Sequence, residues 1–149
     1  MKAIQLKQLV KSPDELIVSD LPDLEPSADQ YLIKVHATAT NFFDVLQIQG
    51  KHQQKPDFPW IAGNEMAGEV LAQPKSPKSK PKFQVGDRVF GACQGTFATQ
   101  IHVNEVDLRP MPKDWSYAEA SGLFLTTPTA YAALILRAQA QKGRSNTSA

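Results

Sequence analysis

Cysteine is almost absent from this chain of 149 residues, since Cys93 is its only example. A single cysteine excludes an internal disulfide bond and any zinc site built from several clustered cysteines. No basic residue stands beside Cys93 in the sequence, so we expect an inert thiol rather than a nucleophile. The fold must therefore rest on ordinary core packing, for which about 150 residues are enough.

Long apolar runs and a strong net charge are also lacking. The longest strongly apolar run is AYAALIL, residues 130–136, far short of the ~20 residues that cross a bilayer. The first residues, MKAIQLKQLV, do not form a secretory signal. A formal net charge of +1 argues against nucleic acid as a partner. These absences predict a soluble, cytoplasmic protein with no membrane or nucleic-acid partner.

Positive charge is nevertheless concentrated in one place, the segment PKSPKSKPK at residues 74–82, which contains no acidic residue. Its lysines are Lys75, Lys78, Lys80 and Lys82. Proline and serine between the lysines disfavour both helix and packed strand, so the segment is expected to be a solvated loop. Contact with an anion or a phosphoprotein is the alternative interpretation.

Short alternating runs dominate residues 1–110. YLIKVHA and TFATQIHV alternate with period two, which predicts strands with one buried face. Further strands are predicted at residues 2–10, 15–19, 66–73 and 86–92. Turn-forming segments rich in proline and aspartate separate these strands, and many short strands of this kind indicate a sandwich or barrel.

Two segments are typical of helix. Asn41 can cap a short helix that ends before Gly50, and Asp44 suits the positive end of its dipole. The second segment, residues 116–141, begins with the capping-box pair Ser116 and Glu119. It is apolar on nearly all sides and so must be buried against a large surface. Pro128 requires a break or a first-turn position.

Five stretches occur in an order that resembles the medium-chain dehydrogenases/reductases. They are NFFDVLQIQG, PWIAGNEMAGEV, FQVGDRVFG, GTFATQIHV and ASGLFLTTPTAYAAL. The similarity is greatest to the zinc-free branch of quinone oxidoreductase or zeta-crystallin-like enzymes, and it covers residues 1 to about 142. It implies a mainly β fold, a GroES-like, partly open β-barrel that forms the N-terminal domain of such enzymes. In the family, a Rossmann domain that binds NADPH follows.

The resemblance also implies a site without zinc. In the zinc-dependent branch a cysteine stands at the place of Asn41 and a histidine at the place of Asn64. Zinc prefers thiolate or imidazole, and a neutral amide replaces neither well. Without a Lewis acid, hydride transfer remains feasible when the acceptor is already electrophilic. The resemblance therefore implies NADPH-dependent reduction of a quinone or conjugated enone.

Three residues are implied to lie at the nicotinamide end of the cofactor: Asn41, Thr129 and Thr126. A plain helix cap is the alternative role for Asn41, and a helix-start hydroxyl is the alternative for Thr129. Thr127 lies in the same stretch, and sequence alone does not rank the three threonines as cofactor contacts.

An apolar wall for a flat substrate is predicted from Phe42, Phe43, Leu46, Trp60 and Phe124. Core packing is the alternative for these side chains. Asp44 and Glu65 are interpreted as structural, one at a helix N-terminus and the other as a buried hydrogen-bonding centre.

The glycines nowhere form G-x-G-x-x-G, the phosphate-binding turn of a dinucleotide domain. We therefore expect residues 1–142 to be a GroES-like domain, residues 143–149 to be a disordered tail, and the Rossmann domain to be missing. Such a fragment is expected to be inactive alone. The alternatives are an enoyl reductase of a carrier-protein pathway and a non-catalytic module that self-associates through its exposed apolar C-terminal helix.

Overall fold

The computed structural model describes residues 1–77, 79–141 and 143. The strands of this part are β1 (Lys2–Leu6), β2 (Val18–Asp20), β3 (Tyr31–Ala39), β4 (Trp60–Ile61), β5 (Glu65–Ala72), β6 (Arg88–Ala92), β7 (Gln100–Val103) and β8 (Leu108–Pro110). The helices are α1 (Phe42–Ile48), α2 (Tyr117–Ser121) and α3 (Thr126–Tyr131), which runs into a π-helical segment, Ala132–Arg137. The mainly β fold class is confirmed.

The strands form two sheets that are joined along one seam. One sheet has the order β2-β1-β4 and the other the order β7-β3-β5-β6-β8. The Ile4 N–H donates to the Phe97 carbonyl at 2.8 Å, and the Thr99 N–H donates to the Lys2 carbonyl at 2.9 Å. Because residues 97–99 lead directly into β7, these bonds connect the small sheet to the large one. The described strands do not close into a complete ring, as expected for a partly open barrel.

The main core lies on one face of the large sheet. β3 buries Tyr31 and Ile33 completely, and the predicted alternation is seen from Ile33 onward, whereas Leu32 is also buried, at 6% exposed. The other members of this core are Met66, Val70, Phe83, Val89, Ile101, Val103 and Leu108. The Tyr31 hydroxyl, at the end of the core, donates to Glu105 Oε2 at 2.8 Å and accepts the Phe83 N–H at 3.3 Å.

Several predicted strands are shorter than the sequence pattern indicated. The strand predicted at residues 2–10 ends at Leu6, and the one predicted at 15–19 begins at Val18. Ser12 is the reason for the later start, since it caps a 3₁₀ turn at Pro13–Glu15 whose Glu15 carboxylate accepts the Ser12 N–H at 3.0 Å. Local capping therefore outweighs alternation in this region.

The predicted helical segment 116–141 is not continuous. Its start is as predicted, because Ser116 Oγ accepts the Glu119 N–H at 3.2 Å. The helix then breaks after Ser121, since the Leu125 N–H donates to the Glu65 carboxylate rather than to a preceding carbonyl. Pro128 lies in the first turn of α3, a position that tolerates its missing N–H.

The bulky apolar side chains at positions 131–136 are exposed and not buried against a large surface, whereas Ala120 and Ser121, earlier in the predicted segment, are buried. The exposed fractions are 57% for Tyr131, 51% for Leu134, 44% for Ile135 and 66% for Leu136. Within residues 1–77, 79–141 and 143, no helix has the length and hydropathy to cross a membrane. The tail predicted at 143–149 lies outside the described residues except for residue 143.

Gly68 on β5 is predicted to be irreplaceable. A Cβ at this position would lie 2.2 Å from the Lys34 carbonyl oxygen, beside a bulge in β3. Because backbone on the neighbouring strand cannot move aside cheaply, Gly68→Ala should destabilise the chain by about 1–3 kcal/mol. Urea unfolding followed by circular dichroism measures this change. Gly122→Ala is the matched control, since its nearest neighbour is Ala39 Cβ at 3.5 Å. Equal unfolding midpoints for the two variants would contradict the prediction.

Candidate active site

Glu65 is a fully buried carboxylate at the start of β5. Its Oε2 accepts the amide Nδ2 of Asn41 at 3.2 Å, and its Oε1 accepts the backbone N–H of Leu125 at 2.8 Å. Its backbone carbonyl accepts the Thr38 hydroxyl at 2.6 Å. One side chain therefore connects the residue that caps α1 to the residue that precedes α3. This arrangement agrees with the interpretation of Glu65 as a buried hydrogen-bonding centre.

Asp44 is the second carboxylate of the site, and it brings the two asparagines together. Asn64 Nδ2 donates to Asp44 Oδ1 at 2.8 Å, and the Asn41 backbone N–H donates to Asp44 Oδ2 at 2.6 Å. Asp44 is 4% exposed and lies in the first turn of α1, where a negative charge suits the helix dipole. Asn41 and Asn64 therefore lie at the same carboxylate.

Two glutamines extend this polar network, and the sequence analysis missed both. Gln47 Oε1 accepts Asn64 Nδ2 at 3.3 Å, and Gln47 Nε2 donates to Gln94 Oε1 at 2.8 Å. Gln94 Nε2 in turn donates to the Ile61 carbonyl at 2.8 Å. The spacing of Asp44 and Gln47 is a signal that could have revealed one of them, since residues three apart share a helix face. Gln94 lies in a loop and has no comparable signal.

The donor set of this site suits hydrogen bonding rather than metal ligation. Asn41 and Asn64 direct amide nitrogens at the carboxylate oxygens that a cation would use. In the described ranges, no three histidine, cysteine, aspartate or glutamate side chains are grouped so that they could hold a metal ion. His36 instead stacks on Tyr117 with ring centroids 4.3 Å apart. The absence of zinc from the functional protein stays a prediction.

Thr126 and Thr129 lie one turn apart on α3, a helix whose residues are all exposed. Their hydroxyls donate to backbone carbonyls one turn earlier, Thr126 to Gly122 at 2.8 Å and Thr129 to Leu125 at 2.9 Å. Each hydroxyl oxygen keeps lone pairs that can accept a hydrogen bond. Since Leu125 is bonded to Glu65, the start of α3 and the Asn41 amide are held near each other.

The five residues predicted to form a substrate wall have different environments. Trp60 is 6% exposed and packs in a core cluster with Leu6 and Ile48. Phe124 is half-buried, with its ring edge-on to Phe90 at 6.3 Å. The α1 residues Phe42, Phe43 and Leu46 range from 78% exposed at Phe42 to partly buried at the other two. These three residues lie on the same helix, whereas Trp60 and Phe124 lie elsewhere. The substrate wall stays a prediction, and its main part is formed by α1.

Comparisons with known proteins support the fold and indicate a chemistry. A family model described as the alcohol dehydrogenase GroES-like domain matches residues 27–124. The chain is 32% identical over 146 residues to a quinone oxidoreductase-like protein 2 homolog of Nematostella vectensis, covering 96% of the chain and 38% of that protein. It is 33% identical over 138 residues to a mitochondrial enoyl-[acyl-carrier-protein] reductase of Caenorhabditis elegans, covering 87% of the chain and 39% of the reductase.

Among solved structures, a mycobacterial protein in complex with NADPH superposes on the chain with a TM-score of 0.83 and 26% identity. The match covers 96% of the chain and 43% of the mycobacterial protein. The chain thus spans roughly two fifths of the length of each of these three proteins.

Removal of the Glu65 carboxylate should destabilise the chain. Glu65→Ala leaves the Leu125 N–H and the Asn41 amide without their acceptor, at a cost of about 1–3 kcal/mol for each buried donor left unpaired. Glu65→Gln should recover part of this loss, because its oxygen can still accept the Leu125 N–H. Urea unfolding measures both variants. Glu69→Ala on the same strand is the control, since its side chain is 39% exposed. A Glu65→Ala variant as stable as Glu69→Ala would contradict this role.

Cys93 should be chemically inert in the folded chain. Burial raises the pKa of its thiol from the ordinary 9.0 to about 12, with a further contribution from the Asp107 carboxylate. The thiolate fraction at pH 8 is thereby lowered roughly a thousandfold relative to an unfolded thiol. Because the folded pKa is the higher one, the associated stability is complete below pH 9 and is lost as the pH rises toward 12. Iodoacetamide labelling at pH 8, with and without urea, measures the difference. Equal rates in the two conditions would contradict the prediction.

Proposed function

The chain belongs to the family of alcohol dehydrogenase GroES-like domains, and from this membership we propose that it is the catalytic-domain portion of an oxidoreductase. The proposed reaction is the NADPH-dependent, zinc-independent reduction of quinones or conjugated enones and aldehydes by hydride transfer. The quinone oxidoreductase-like relative and the NADPH-bound structural neighbour support this assignment. Since the chain spans only roughly two fifths of their length, the activity is proposed for a protein that also supplies a dinucleotide-binding domain.

The observation that carries the proposal is the position of Glu65 between Asn41 and Leu125. Its two oxygens fix the α1 cap and the start of α3 at the same time. The three residues predicted to contact the cofactor therefore belong to two elements held by one side chain. Preorganisation of this kind removes the entropic cost of collecting polar groups around a ligand.

Bound NADPH supplies the hydride, and the residues of this chain are proposed to position its nicotinamide. The Asn41 amide nitrogen is directed at Glu65, so the amide oxygen points away from that carboxylate and can accept a hydrogen bond from the nicotinamide carboxamide. The Thr126 and Thr129 oxygens on α3 can accept further bonds. Phe42, Phe43 and Leu46 provide apolar surface for a flat acceptor and limit the access of water.

A second candidate is an enoyl reductase that acts on acyl groups carried by a protein. The similarity to a reductase named for acyl-carrier protein favours this alternative, and the same hydride chemistry serves a conjugated thioester. The third candidate, a non-catalytic interaction module, is favoured by the exposed apolar side chains of 131–136. The three candidates differ in turnover and in substrate rather than in fold.

A domain graft tests the proposal. The full chain would replace the matching 146-residue region of the Nematostella relative, which leaves the remainder of that protein intact. We expect the graft to oxidise NADPH with 1,4-benzoquinone and with a simple enone, and to keep this activity after treatment with a chelator. Asn41→Ala should lower kcat/KM by roughly tenfold to a hundredfold through misplacement of the nicotinamide. Asn104→Ala, far along the chain and hydrogen-bonded to Asp107 at 3.3 Å, is the matched control.

The outcomes of this experiment separate the candidates. Crotonyl thioester reduction without quinone reduction would favour the enoyl reductase. A folded graft that binds NADPH but reduces neither substrate would favour the non-catalytic module. Glu65→Gln adds a specific readout. Its new side-chain amide nitrogen is a donor, so the Asn41 amide should rotate to present its oxygen to position 65. The oxygen is then lost to the nicotinamide, and turnover should fall while the fold persists. Unchanged turnover in both Asn41→Ala and Glu65→Gln would remove the basis for the proposed positioning role.

A further inference from the structure

A cleft of about 570 Å³ lies at the end of β5 and β6 opposite to Glu65. In this antiparallel pair Glu65 faces Ala92 at one end. Asp87 and Arg88, which line the cleft, lie at the other end, where the Asp87 carbonyl accepts the Val70 N–H at 3.0 Å. Val70 is five residue steps along the strand from Glu65, a distance of roughly 17 Å at the usual strand rise. A ligand in the cleft would therefore leave the proposed active site open.

The basic segment 74–82 borders this cleft and is attached to the barrel at both ends. At its start, the Lys75 N–H donates to the Ser27 carbonyl at 3.0 Å. At its end, the Lys82 N–H donates to Glu105 Oε2 at 2.9 Å, and the next N–H, of Phe83, reaches the Tyr31 hydroxyl. The prolines between these points favour an extended backbone with few conformations to lose on binding. The described backbone of the segment is thus hydrogen-bonded to the rest of the domain at Lys75 and at Lys82.

Several cations of this face are available to a partner. Lys75, Lys80 and Lys113 are exposed, and the structure gives them no ion pair among the residues it describes. Arg88 is not available, because its guanidinium donates to the Lys113 and Trp115 carbonyls and lies over the Tyr117 ring. By these bonds Arg88 fixes the backbone that carries Lys113.

The acidic groups near these lysines are mostly occupied. Asp87 Oδ2 accepts the Gln84 N–H at 2.7 Å, and Glu105 accepts the Tyr31 hydroxyl and the Lys82 N–H. These bonds hold the pKa of Glu105 below its usual range, with the Lys82 N–H as the largest cause. Asp114 follows Lys113 in the chain, and Glu69 faces Arg88 across the β5–β6 pair. The face therefore keeps an excess of positive charge.

Lys113 lines the cleft together with two apolar side chains, and Lys80 lies two residues before Lys82, which also lines it. The two apolar side chains, Phe83 and Met111, are 7% and 8% exposed. Lysines that are spread along a segment, rather than converging on one point, suit an extended chain of negative charges better than a small anion. We propose that this face docks an acidic, amphipathic segment of a partner protein, with carboxylates on Lys80 and Lys113 and an apolar side chain on the Phe83–Met111 floor. This proposal does not depend on the proposed reaction.

A fluorescein-labelled helical peptide of about 15 residues rich in glutamate and leucine is a suitable probe. We expect saturable binding to the chain by fluorescence anisotropy, weaker binding of a polyglutamate peptide of equal length, and loss of affinity as salt is raised from about 50 to about 200 mM. Lys80→Glu/Lys113→Glu should weaken binding about tenfold or more. Lys7→Glu/Lys51→Glu, with the same charge change at exposed sites elsewhere, should leave it unchanged.

Three results would overturn the proposal. One is an equal loss of affinity in both double variants, which would indicate attraction by net charge alone. Another is unchanged binding by a Lys80→Glu/Lys113→Glu variant whose circular dichroism is normal. The third is tighter binding of a single-stranded oligonucleotide or of anionic phosphatidylserine vesicles with the same dependence on Lys80 and Lys113, since the partner would then be of a different class.

Discussion

The arrangement of this domain depends on one buried carboxylate. Glu65 has no exposed surface, and it is paired through the backbone with Ala39 on one side and Ala92 on the other. A carboxylate in such a position must be fully hydrogen-bonded, because an unpaired buried charge is strongly destabilising. Its bonds to Asn41 and Leu125 satisfy that requirement. They also fix where α1 begins and where the C-terminal helical segment breaks.

The amides at positions 41 and 64 have a physical role that explains their presence beside two carboxylates. Each donates an N–H to a carboxylate, so the charges at Asp44 and Glu65 are stabilised without a cation. The network continues through Gln47 and Gln94 into the backbone of β4. In the described residues no buried side-chain nitrogen or oxygen lacks a hydrogen-bond partner, and networks satisfied to that degree tend to be rigid. Such rigidity supports the role that we propose for this network in positioning a cofactor.

The large sheet separates two kinds of surface along the length of β5. The end that begins at Glu65 is buried, polar and hydrogen-bonded to the starts of α1 and α3. The other end, beyond Val70, opens on the basic segment and the apolar floor around Phe83. A paired strand of this length is rigid and holds the two ends apart, so ligand binding at one end need not change the structure at the other. The sheet therefore allows chemistry and partner binding to be placed on one small domain.

The sequence by itself determined the features that depend on near neighbours. Alternation identified Tyr31 and Ile33 as core, the chemistry of Asn41 and Ser116 marked two helix starts, and the ordered motifs indicated the family and its partly open barrel. Such features follow from backbone periodicity and capping, which act over a few residues. The family resemblance set Asn41 and Asn64 at the places of two zinc ligands, and the structure brings both residues to Asp44.

Tertiary structure alone decided the features that depend on residues distant in the chain. The Leu125 N–H finds its acceptor in Glu65, 60 residues earlier, and this bond interrupts a helix that local pattern had made continuous. Gln47 finds Gln94 across 47 residues, and Trp60 packs against Leu6 in a core cluster. Hydrogen bonding and packing act only at contact distance, so which distant groups meet is set by the folded path of the chain and not by the order of its residues.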